Sequence, residues 1–303
     1  MEIYLKQGSL IKKEDWEKLI ASIETNYENL ETNKERAKRK IRKLIENSII
    51  KRAQNLNKFG ILFSGGVDST LIAFLCKKHG FNFTCFTIGL ENSQDIEYAK
   101  IIAEKYNFSL KHKILSLEEF ENVIRNTVKI LNNDDIVWIS VGSVLYATAQ
   151  LALQDNISIL FGGLGTEEIF AGYQRHEDVL ADNDFESVHK ESWNGLKNMW
   201  QRDLLRDSII AKSLGIELRT PYMDLGVIKA AMDINPMHKI DKISKKIILR
   251  EIAENFGLEK EFAWRPKKAA QYGSNFVKGI DKLAKKHGFA TKKEYLKSLL
   301  PKV

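Results

Sequence analysis

The chain has 303 residues, of which 44% are hydrophobic and 29% charged, and its formal net charge is +7. This length and composition predict a soluble globular protein with a sizeable core and exclude a disordered or fibrous chain. The sequence has no apolar run of about 18 residues and no apolar signal-peptide core, so we expect a cytoplasmic protein that does not span a membrane.

The predicted elements begin with helices and then alternate. Apolar spacing predicts a short helix over 9–27, a linker over 29–33 and a second helix over 34–53. Strands and helices then follow in turn: strand 59–63, helix 69–80, strand 81–89, helix 93–108, strand 109–117, helix 117–131, helix 137–155 and strand 157–163. Beyond residue 172 the strand pattern fades and helices are predicted over 192–213, 224–233, 244–256, 275–287 and 291–300.

This order predicts an α/β fold, in which a parallel sheet carries helices on both faces and a mostly helical C-terminal region follows. We expect a helical extension over 1–33, an α/β domain over 34–173 and a helical region over 174–303 packed on it. Cys76 and Cys85 cannot make a disulfide framework or a zinc site, and both lie in apolar stretches typical of a core.

Positive charge is concentrated in two segments. Residues 34–58 carry ten basic and two acidic side chains, and residues 259–303 carry twelve and four. Such segments suit a polyanion such as tRNA, or they are the solvated face of amphipathic helices. An apolar stripe in the first segment favours the second interpretation; its members are Ala37, Ile41, Leu44, Ile45, Ser48 and Ile49.

The most informative stretch is FSGGVDST, residues 63–70, which joins the first strand of the predicted sheet to a helix. Gly65 and Gly66 let the backbone approach an anion, and the helix N-terminus presents free N–H groups to it. Asp68 would repel phosphate unless it holds a divalent metal that the phosphates share. The lysine of a Walker A loop is missing, and so is a GxGxxG pattern.

This stretch resembles the SGGxDS pyrophosphate loop of the PP-loop, or N-type, ATP pyrophosphatases, which have the adenine nucleotide alpha hydrolase-like fold. Such enzymes adenylate a carbonyl or carboxylate oxygen, release pyrophosphate and let a nucleophile displace AMP. Three further segments narrow the resemblance to the synthetase domain of the asparagine synthetase family. They are GGLGTEEIFAGY at 162–173, RDSIIAKSLGIELRTPYMD at 206–224, and KKIILREI at 245–252 followed by FAWRPKKA at 262–269.

The resemblance implies a site for ATP and Mg²⁺. Pyrophosphate would be held by Ser64, Gly65, Gly66, Asp68, Ser69 and Thr70. Adenine and ribose would contact Phe63, Ile88, Gly162 and Gly163, mostly through backbone atoms. Asp68 and Glu167 would bind Mg²⁺, while Lys246 and Lys267 would face the phosphates and the developing charge, with Asp68 also counted as catalytic. The substrate side would include Glu168, Glu217, Arg219 and Asp224, although an arginine–carboxylate cluster can equally serve only to fix a loop.

The chain departs from the family pattern in four places. Only about thirty residues precede the matching helix, and Met1 is followed by Glu2, so we expect no glutaminase domain with its N-terminal cysteine nucleophile. Leu164 replaces the family glutamate that takes a proton from the incoming nitrogen, and Tyr173, Glu168, Asp135 and His176 are the nearby substitutes. Glu167 stands where the family has aspartate, and KAAQY at 268–272 alters the substrate side.

The predicted function is that of an ATP-dependent, AMP-forming carbon–nitrogen ligase acting on a small-molecule carboxylate. Its nitrogen would come from free ammonia, from another amine or from a separate glutaminase. A PP-loop enzyme that modifies tRNA and a nucleotide-binding subunit that partners a glutaminase are the alternatives. The sequence is compatible with a homo-oligomer and does not fix the number of subunits.

Overall fold

The computed structural model describes residues 2–180, 184–266 and 268–301 and divides the chain into two compact units. Unit 1 consists of Met1–Asn55, Gly162–Leu204 and Arg219–Trp264, and unit 2 of Leu56–Phe161, Leu205–Leu218 and Arg265–Val303. Each unit is therefore assembled from segments that alternate along the sequence.

Helices outnumber strands in the described part of the chain. The strands are β1 (Leu5–Lys6), β2 (Ser9–Leu10), β3 (Phe59–Leu62), β4 (Phe83–Gly89), β5 (Leu110–Ile114), β6 (Ile159–Phe161) and β7 (Glu217–Arg219). The helices are α1 (Lys13–Ala21), α2 (Lys34–Ala53), α3 (Val67–Lys78), α4 (Gln94–Lys105), α5 (Leu117–Leu131), α6 (Ile136–Leu153), α7 (Thr166–Ile169), α8 (Gln174–Asp178), α9 (Phe185–Met199), α10 (Leu205–Leu214), α11 (Leu225–Met232), α12 (Ile247–Phe256), α13 (Lys260–Ala263), α14 (Ala270–Gly273), α15 (Phe276–Lys286) and α16 (Lys292–Ser298). Short 3₁₀ turns occupy Tyr27–Asn29, Pro221–Met223 and Pro236–His238, and a π-helical turn occupies Trp200–Leu204.

The main sheet has the strand order β5-β4-β3-β6-β7. β3 pairs in parallel with β4 on one side and with β6 on the other, and β4 pairs in parallel with β5. All seven residues of β4 are buried, as expected for a strand covered on both faces. The predicted α/β class is confirmed, and the segment after β3 lies where the strand order reverses, the usual ligand position in such sheets.

Helices complete the core of unit 2. α5 begins with a capping box at Ser116 and buries one face, including Phe120 and Ile124, in a cluster that α6 and α15 share. α6 is long and apolar enough to cross a membrane by length and composition, but 61% of it is buried inside the protein. Its apolar side chains are accounted for by this packing, for example Ile139 and Leu145 in the same cluster. Cys76 and Cys85 are both buried free thiols, as predicted.

Unit 1 is mainly helical. α2 is capped by Asn33, which accepts from the Arg36 N–H, and it buries Ala37, Ile41, Ile45, Ser48 and Ile49. The apolar stripe predicted for this helix is thus its packed face. In α1, the Trp16 Nε1–H donates to the Leu196 carbonyl at 2.8 Å, which ties α1 to α9.

Two of the predicted elements need correction, and one strand of the main sheet is not predicted. The helix predicted over 9–27 covers only Lys13–Ala21, because Ser9 and Leu10 pair with Leu5 and Lys6 across a turn at Gln7 and Gly8, both with positive φ. The helix predicted over 192–213 is interrupted by the π-helical turn. β7 is absent from the sequence prediction, since three residues are too few to show a strand period.

Candidate functional site

The glycine-rich segment 63–70 lies between β3 and α3 in unit 2, as the sequence predicts. The Phe63 N–H donates to the Phe86 carbonyl at 2.8 Å, so the backbone leaves the sheet only after Phe63. Gly66 is the N-cap of α3 and has no side chain with which to cap the helix. The positive end of a twelve-residue helix is therefore presented by backbone alone, an arrangement that favours an anion.

Arg265 anchors this loop from the C-terminal part of the same unit. Its Nη1 donates to the Ser64 carbonyl at 2.6 Å, and its guanidinium carbon lies 3.9 Å from the centre of the Tyr98 ring. Gly65 has φ +68°, and a Cβ there would lie 3.1 Å from Arg265 Nη1. Glycine is thus required both by the backbone conformation and by the close approach of the arginine.

Asp95 holds the other side of the Arg265 guanidinium. Arg265 Nη2 donates to Asp95 Oδ1 at 3.2 Å, and both side chains are almost fully buried. Burial raises the pKa of Asp95 to about 6, although Arg265 acts in the opposite direction. Gly273 packs so closely on this carboxylate that a Cβ there would overlap it. The loop is therefore held by a buried ion pair whose two members lie outside the sequence of the loop.

The remaining predicted residues of the loop differ in their surroundings. Ser69 Oγ donates to the Gly66 carbonyl at 3.3 Å, and Thr70 is fully buried. Asp68 is half-buried. The Ile88 side chain packs in the core of unit 2, so any contact with a nucleotide would have to be made by its backbone, as the resemblance implies.

In unit 1, the glycines after β6 shape a second turn. The Gly162 N–H donates to the Arg219 carbonyl at 2.9 Å, and Thr166 Oγ1 donates to the Gly163 carbonyl at 3.0 Å. Gly165 has φ +97°, and a Cβ at this position would collide with Met223. Leu164 is half-buried in this turn. These contacts fix the entry into α7, which carries Glu167 and Glu168.

Lys246 is a buried lysine, not a solvated surface one. It is 1% exposed, and its Nζ donates to Glu167 Oε1 at 2.5 Å and to Thr166 Oγ1 at 3.0 Å. Gly172 makes room for this pair, since a Cβ there would overlap both side chains. The structure thus brings together two residues predicted separately, Lys246 and Glu167.

Carboxylate oxygens are the ligands that Mg²⁺ prefers, and Asp68 in unit 2 and Glu167 in unit 1 each carry one such group. The Glu167 carboxylate already accepts from Lys246, and no group of three or more His, Cys, Asp or Glu side chains forms a metal cluster in the described part of the chain. A single carboxylate could hold Mg²⁺ only where phosphate oxygens and water supply the other ligands, which is the usual coordination of this ion.

A second ionic cluster surrounds Glu168, which is 1% exposed. Arg202, in the π-helical turn, donates through Nη2 to Glu168 Oε1 and through Nε to Asp203 Oδ2. Burial raises the pKa of Glu168, and Arg202 opposes this. The Tyr173 ring lies against two guanidiniums, with the Arg175 and Arg202 carbons 3.9 and 5.0 Å from its centre. The sequence points to Glu168 but not to Arg202 or Asp203.

The other predicted substrate residues have structural partners. Asp224 Oδ1 caps α11 by accepting from the Gly226 N–H at 3.0 Å, and its Oδ2 lies 3.3 Å from Arg52 Nη1. Arg219 Nη1 donates to the Arg52 carbonyl, whereas Glu217 is exposed in β7. Asp224 and Arg219 thus both fix the end of α2.

Two other predicted groups have clear positions, and one lies outside the described residues. Asp135, a substitute base, caps α6 by accepting from the Trp138 N–H at 2.8 Å. His176 is fully buried, and burial lowers its pKa to about 3, which leaves it a weak base. Lys267 is the predicted residue that the structure does not describe.

The family profile and the similar proteins found by comparison agree on one family. Residues 40–187 and 180–288 match the profile of the family described as "Asparagine synthase". A protein of Methanocaldococcus jannaschii, named "Putative asparagine synthetase (glutamine-hydrolyzing) 1", is 34% identical over 315 residues, covering 93% of this chain and 58% of its own. An asparagine synthetase (glutamine-hydrolyzing) of Asparagus officinalis is 28% identical over 267 residues, covering 82% of this chain and 45% of its own.

The chain spans about half the length of these curated relatives. Among solved structures, an NMN synthetase from Francisella tularensis aligns with a TM-score of 0.35 and 15% identity, over 78% of this chain and 100% of its own. An alignment this weak carries no argument about the fold. The fold class is taken instead from the strand order and pairing of the five-stranded sheet.

Proposed function

The chain belongs to the asparagine synthase family, and we propose from this premise that it uses ATP to activate a small-molecule carboxylate for amide formation. The observation that carries the proposal is the Arg265-anchored loop at the start of α3, where the N-cap residue Gly66 provides no side-chain cap for the helix. Ser64, Gly65, Gly66, Ser69 and Thr70 would hold pyrophosphate there. Such a loop uses no lysine of its own, in contrast to a Walker A loop.

The proposed reaction has two steps. A carboxylate oxygen of the substrate attacks the α-phosphorus of ATP, and the bond to the β-phosphate oxygen breaks, which gives an acyl adenylate and pyrophosphate. A nitrogen nucleophile then attacks the acyl carbon, loses a proton and displaces AMP. Lys246 and Lys267 would neutralise the charge that develops on the phosphates, since cations placed in advance stabilise such transition states.

We keep Asp68 and Glu167 as the proposed ligands of Mg²⁺, which would neutralise pyrophosphate as it leaves. Phe63, Ile88, Gly162 and Gly163 remain the proposed nucleotide contacts, through backbone atoms. On the acceptor side we propose Glu168 with Arg202, because a partly exposed guanidinium is suited to a carboxylate substrate. Because Leu164 cannot accept a proton, another group must take the proton from the attacking nitrogen.

The proposal also covers the surroundings of the enzyme. The nitrogen source is ammonia, another amine or a glutaminase partner, the location is the cytoplasm, and a homo-oligomer is compatible with it. A tRNA substrate is less favoured, because basic residues of α2 are paired with acidic groups in the same unit. Examples are Lys38 with Glu35 and Glu251, and Lys40 with Asp233.

Pyrophosphate release provides the test. The chain is incubated with ATP, Mg²⁺, ammonium and a panel of amino and dicarboxylic acids, with Lys246→Met as the inactive control. We expect release that depends on one of the acids and is lost in the variant. Release that does not depend on any acid, or ADP as the product, would overturn the proposal.

A further inference from the structure

Unit 1 contains a cluster of buried polar side chains on α8, α9 and the residue after the 236–238 turn. We call it the buried donor cluster and define it as Arg175, His176, His189, Ser192 and Lys239. His176, Ser192 and Lys239 are 0% exposed and His189 is 3% exposed. α9 packs against both α8 and the 236–238 turn, which brings these side chains to one region of the unit.

Lys239 is the most unusual member. Its Nζ has no hydrogen-bond partner among the described residues of the chain. Burial lowers the pKa of Lys239 to about 7, and Asp233 is the acidic group that opposes this effect. Asp233 itself lies 3.7 Å from Lys40 on the surface. Burying an ammonium without a hydrogen-bond acceptor destabilises the fold, so an acceptor bound at this position would be stabilising.

His176 adds a second donor. Its Nδ1 accepts from the Tyr173 N–H at 3.1 Å, and burial keeps the ring neutral by lowering its pKa to about 3. The single N–H of the neutral ring must therefore be on Nε2, which can act only as a donor. Within the described residues, no acceptor lies within hydrogen-bond distance of this buried Nε2.

The members influence one another electrostatically. The positive charge of Lys239 lowers the pKa of both His176 and His189, although burial is the larger cause in each case. The charged groups that most affect His176 are Arg175, Lys239 and Arg202 on the positive side and Glu167 on the negative side. Ser192 Oγ and Arg175 Nη2 also have no hydrogen-bond partner in the part of the chain that is described. Arg175 Nε is paired with Glu191 Oε1 at 2.6 Å, and Arg175 Nη2 lies 4.0 Å from Glu168 Oε1. Within the described residues, the positive charge of this cluster that lacks an ion pair is therefore that of Lys239.

We propose that the buried donor cluster binds a small anion, a halide or a carboxylate, between Lys239 and His176. An anion accepts hydrogen bonds from Lys239, His176, Ser192 and Arg175 and balances the ammonium, whereas each water molecule must also find acceptors for its own two hydrogens. His189 is not one of these donors, because its Nε2 lies 2.7 Å from the Thr25 carbonyl. None of these residues is among the proposed ATP or magnesium ligands. The inference is therefore independent of the proposed function.

The test measures thermal stability in a buffer that contains neither halide nor carboxylate. The chain is exchanged into a buffer whose anion is a bulky sulfonate, and the sulfonate is replaced at constant ionic strength by chloride in one series and by acetate in another. We expect a saturable rise in Tm with at least one of the two anions, and the series that saturates at the lower concentration identifies the class. If Tm changes with neither anion, the cluster holds water only and the proposal is wrong.

Two variants locate the effect. Lys239→Met removes the buried ammonium and should abolish the rise, while Lys242→Met removes a nearby exposed lysine and should preserve it. An equal rise in Lys239→Met and wild type would overturn the proposal. If chloride gives the rise, crystals of the wild type soaked in bromide test the halide site directly: we expect an anomalous peak beside Lys239 Nζ, and its absence at saturating bromide would contradict that site.

Discussion

Arg265→Met should disconnect the nucleotide loop from its buried support. The substitution removes the hydrogen bonds to the Ser64 carbonyl at 2.6 Å and to Asp95 at 3.2 Å, and it leaves a carboxyl group 4% exposed without its cation. Hydrogen bonds involving a charged group contribute about 1.5–3 kcal/mol each, so the loss of two should lower the free energy of unfolding by about 3–6 kcal/mol.

This loss should grow with pH. In the wild type the pKa of Asp95 is about 6, because burial raises it while Arg265 opposes. Without the arginine this pKa rises further, so above pH 6 the variant keeps a proton on Asp95 that the folded wild type has released. The variant then loses up to about 1.4 kcal/mol more for each pH unit above 6.

Urea unfolding between pH 5 and 8 measures this dependence, and the KM for ATP reports on the loop. The double variant Arg265→Met/Asp95→Asn is the matched control: it should lose the pH-dependent part of the destabilisation but keep the raised KM, because Ser64 still lacks its donor. We expect KM to rise about tenfold or more, equivalent to about 1.4 kcal/mol. A loss of stability that is equal at pH 5 and pH 8, or a normal KM in the single variant, would refute this account of the loop.

Three further predictions concern buried charges in unit 1. Lys246→Met should abolish pyrophosphate release and destabilise the fold by about 3–5 kcal/mol, because it leaves Glu167 buried beside a neutral side chain. Lys246→Met combined with Glu167→Gln should recover the stability measured by urea unfolding but not the activity. Lys239→Met should remove a pH dependence that the wild type shows in buffer without halide or carboxylate, because the unfolded chain then binds one more proton than the folded one between about pH 7 and 10.5. Wild-type stability should rise relative to the variant as pH increases from 7 to 9, by up to about 1.4 kcal/mol per unit, and parallel curves would contradict this. Glu2→Gln should lower the free energy of unfolding by about 3 kcal/mol, seen as a lower Tm, because the buried Arg52 donates through Nε to Glu2 at 2.8 Å. An unchanged Tm would show that other groups balance the charge of Arg52.

The sequence predicts much of the fold because most elements are long and strongly patterned. α2, α5 and α6 lie within a residue or two of the predicted bounds, and β3 to β6 appear in the expected order. The elements that escape prediction are short: β1, β2 and β7 have two or three residues each, so no period can appear in them. The π-helical turn at 200–204 also leaves no pattern, since it inserts into an otherwise continuous amphipathic segment.

The site is predictable in its motifs but not in its supports. The loop at 63–70 can be recognised from glycines and hydroxyls that are adjacent in sequence. Its anchor cannot, because Arg265 is 201 residues away and only the tertiary fold brings its guanidinium to the Ser64 carbonyl. Burial is equally hidden: Lys246 looks like a surface lysine in a lysine-rich chain, yet it is 1% exposed and paired with Glu167.

Transfer of labelled oxygen tests the central claim, adenylation of a carboxylate, most directly. The acid that supports pyrophosphate release is supplied with both carboxylate oxygens replaced by heavy oxygen, together with ATP, Mg²⁺ and ammonium. Our account predicts one heavy oxygen in each AMP formed, because the attacking carboxylate oxygen stays on the α-phosphorus when the amide forms. Heavy oxygen in inorganic phosphate, or AMP without the label, would contradict it.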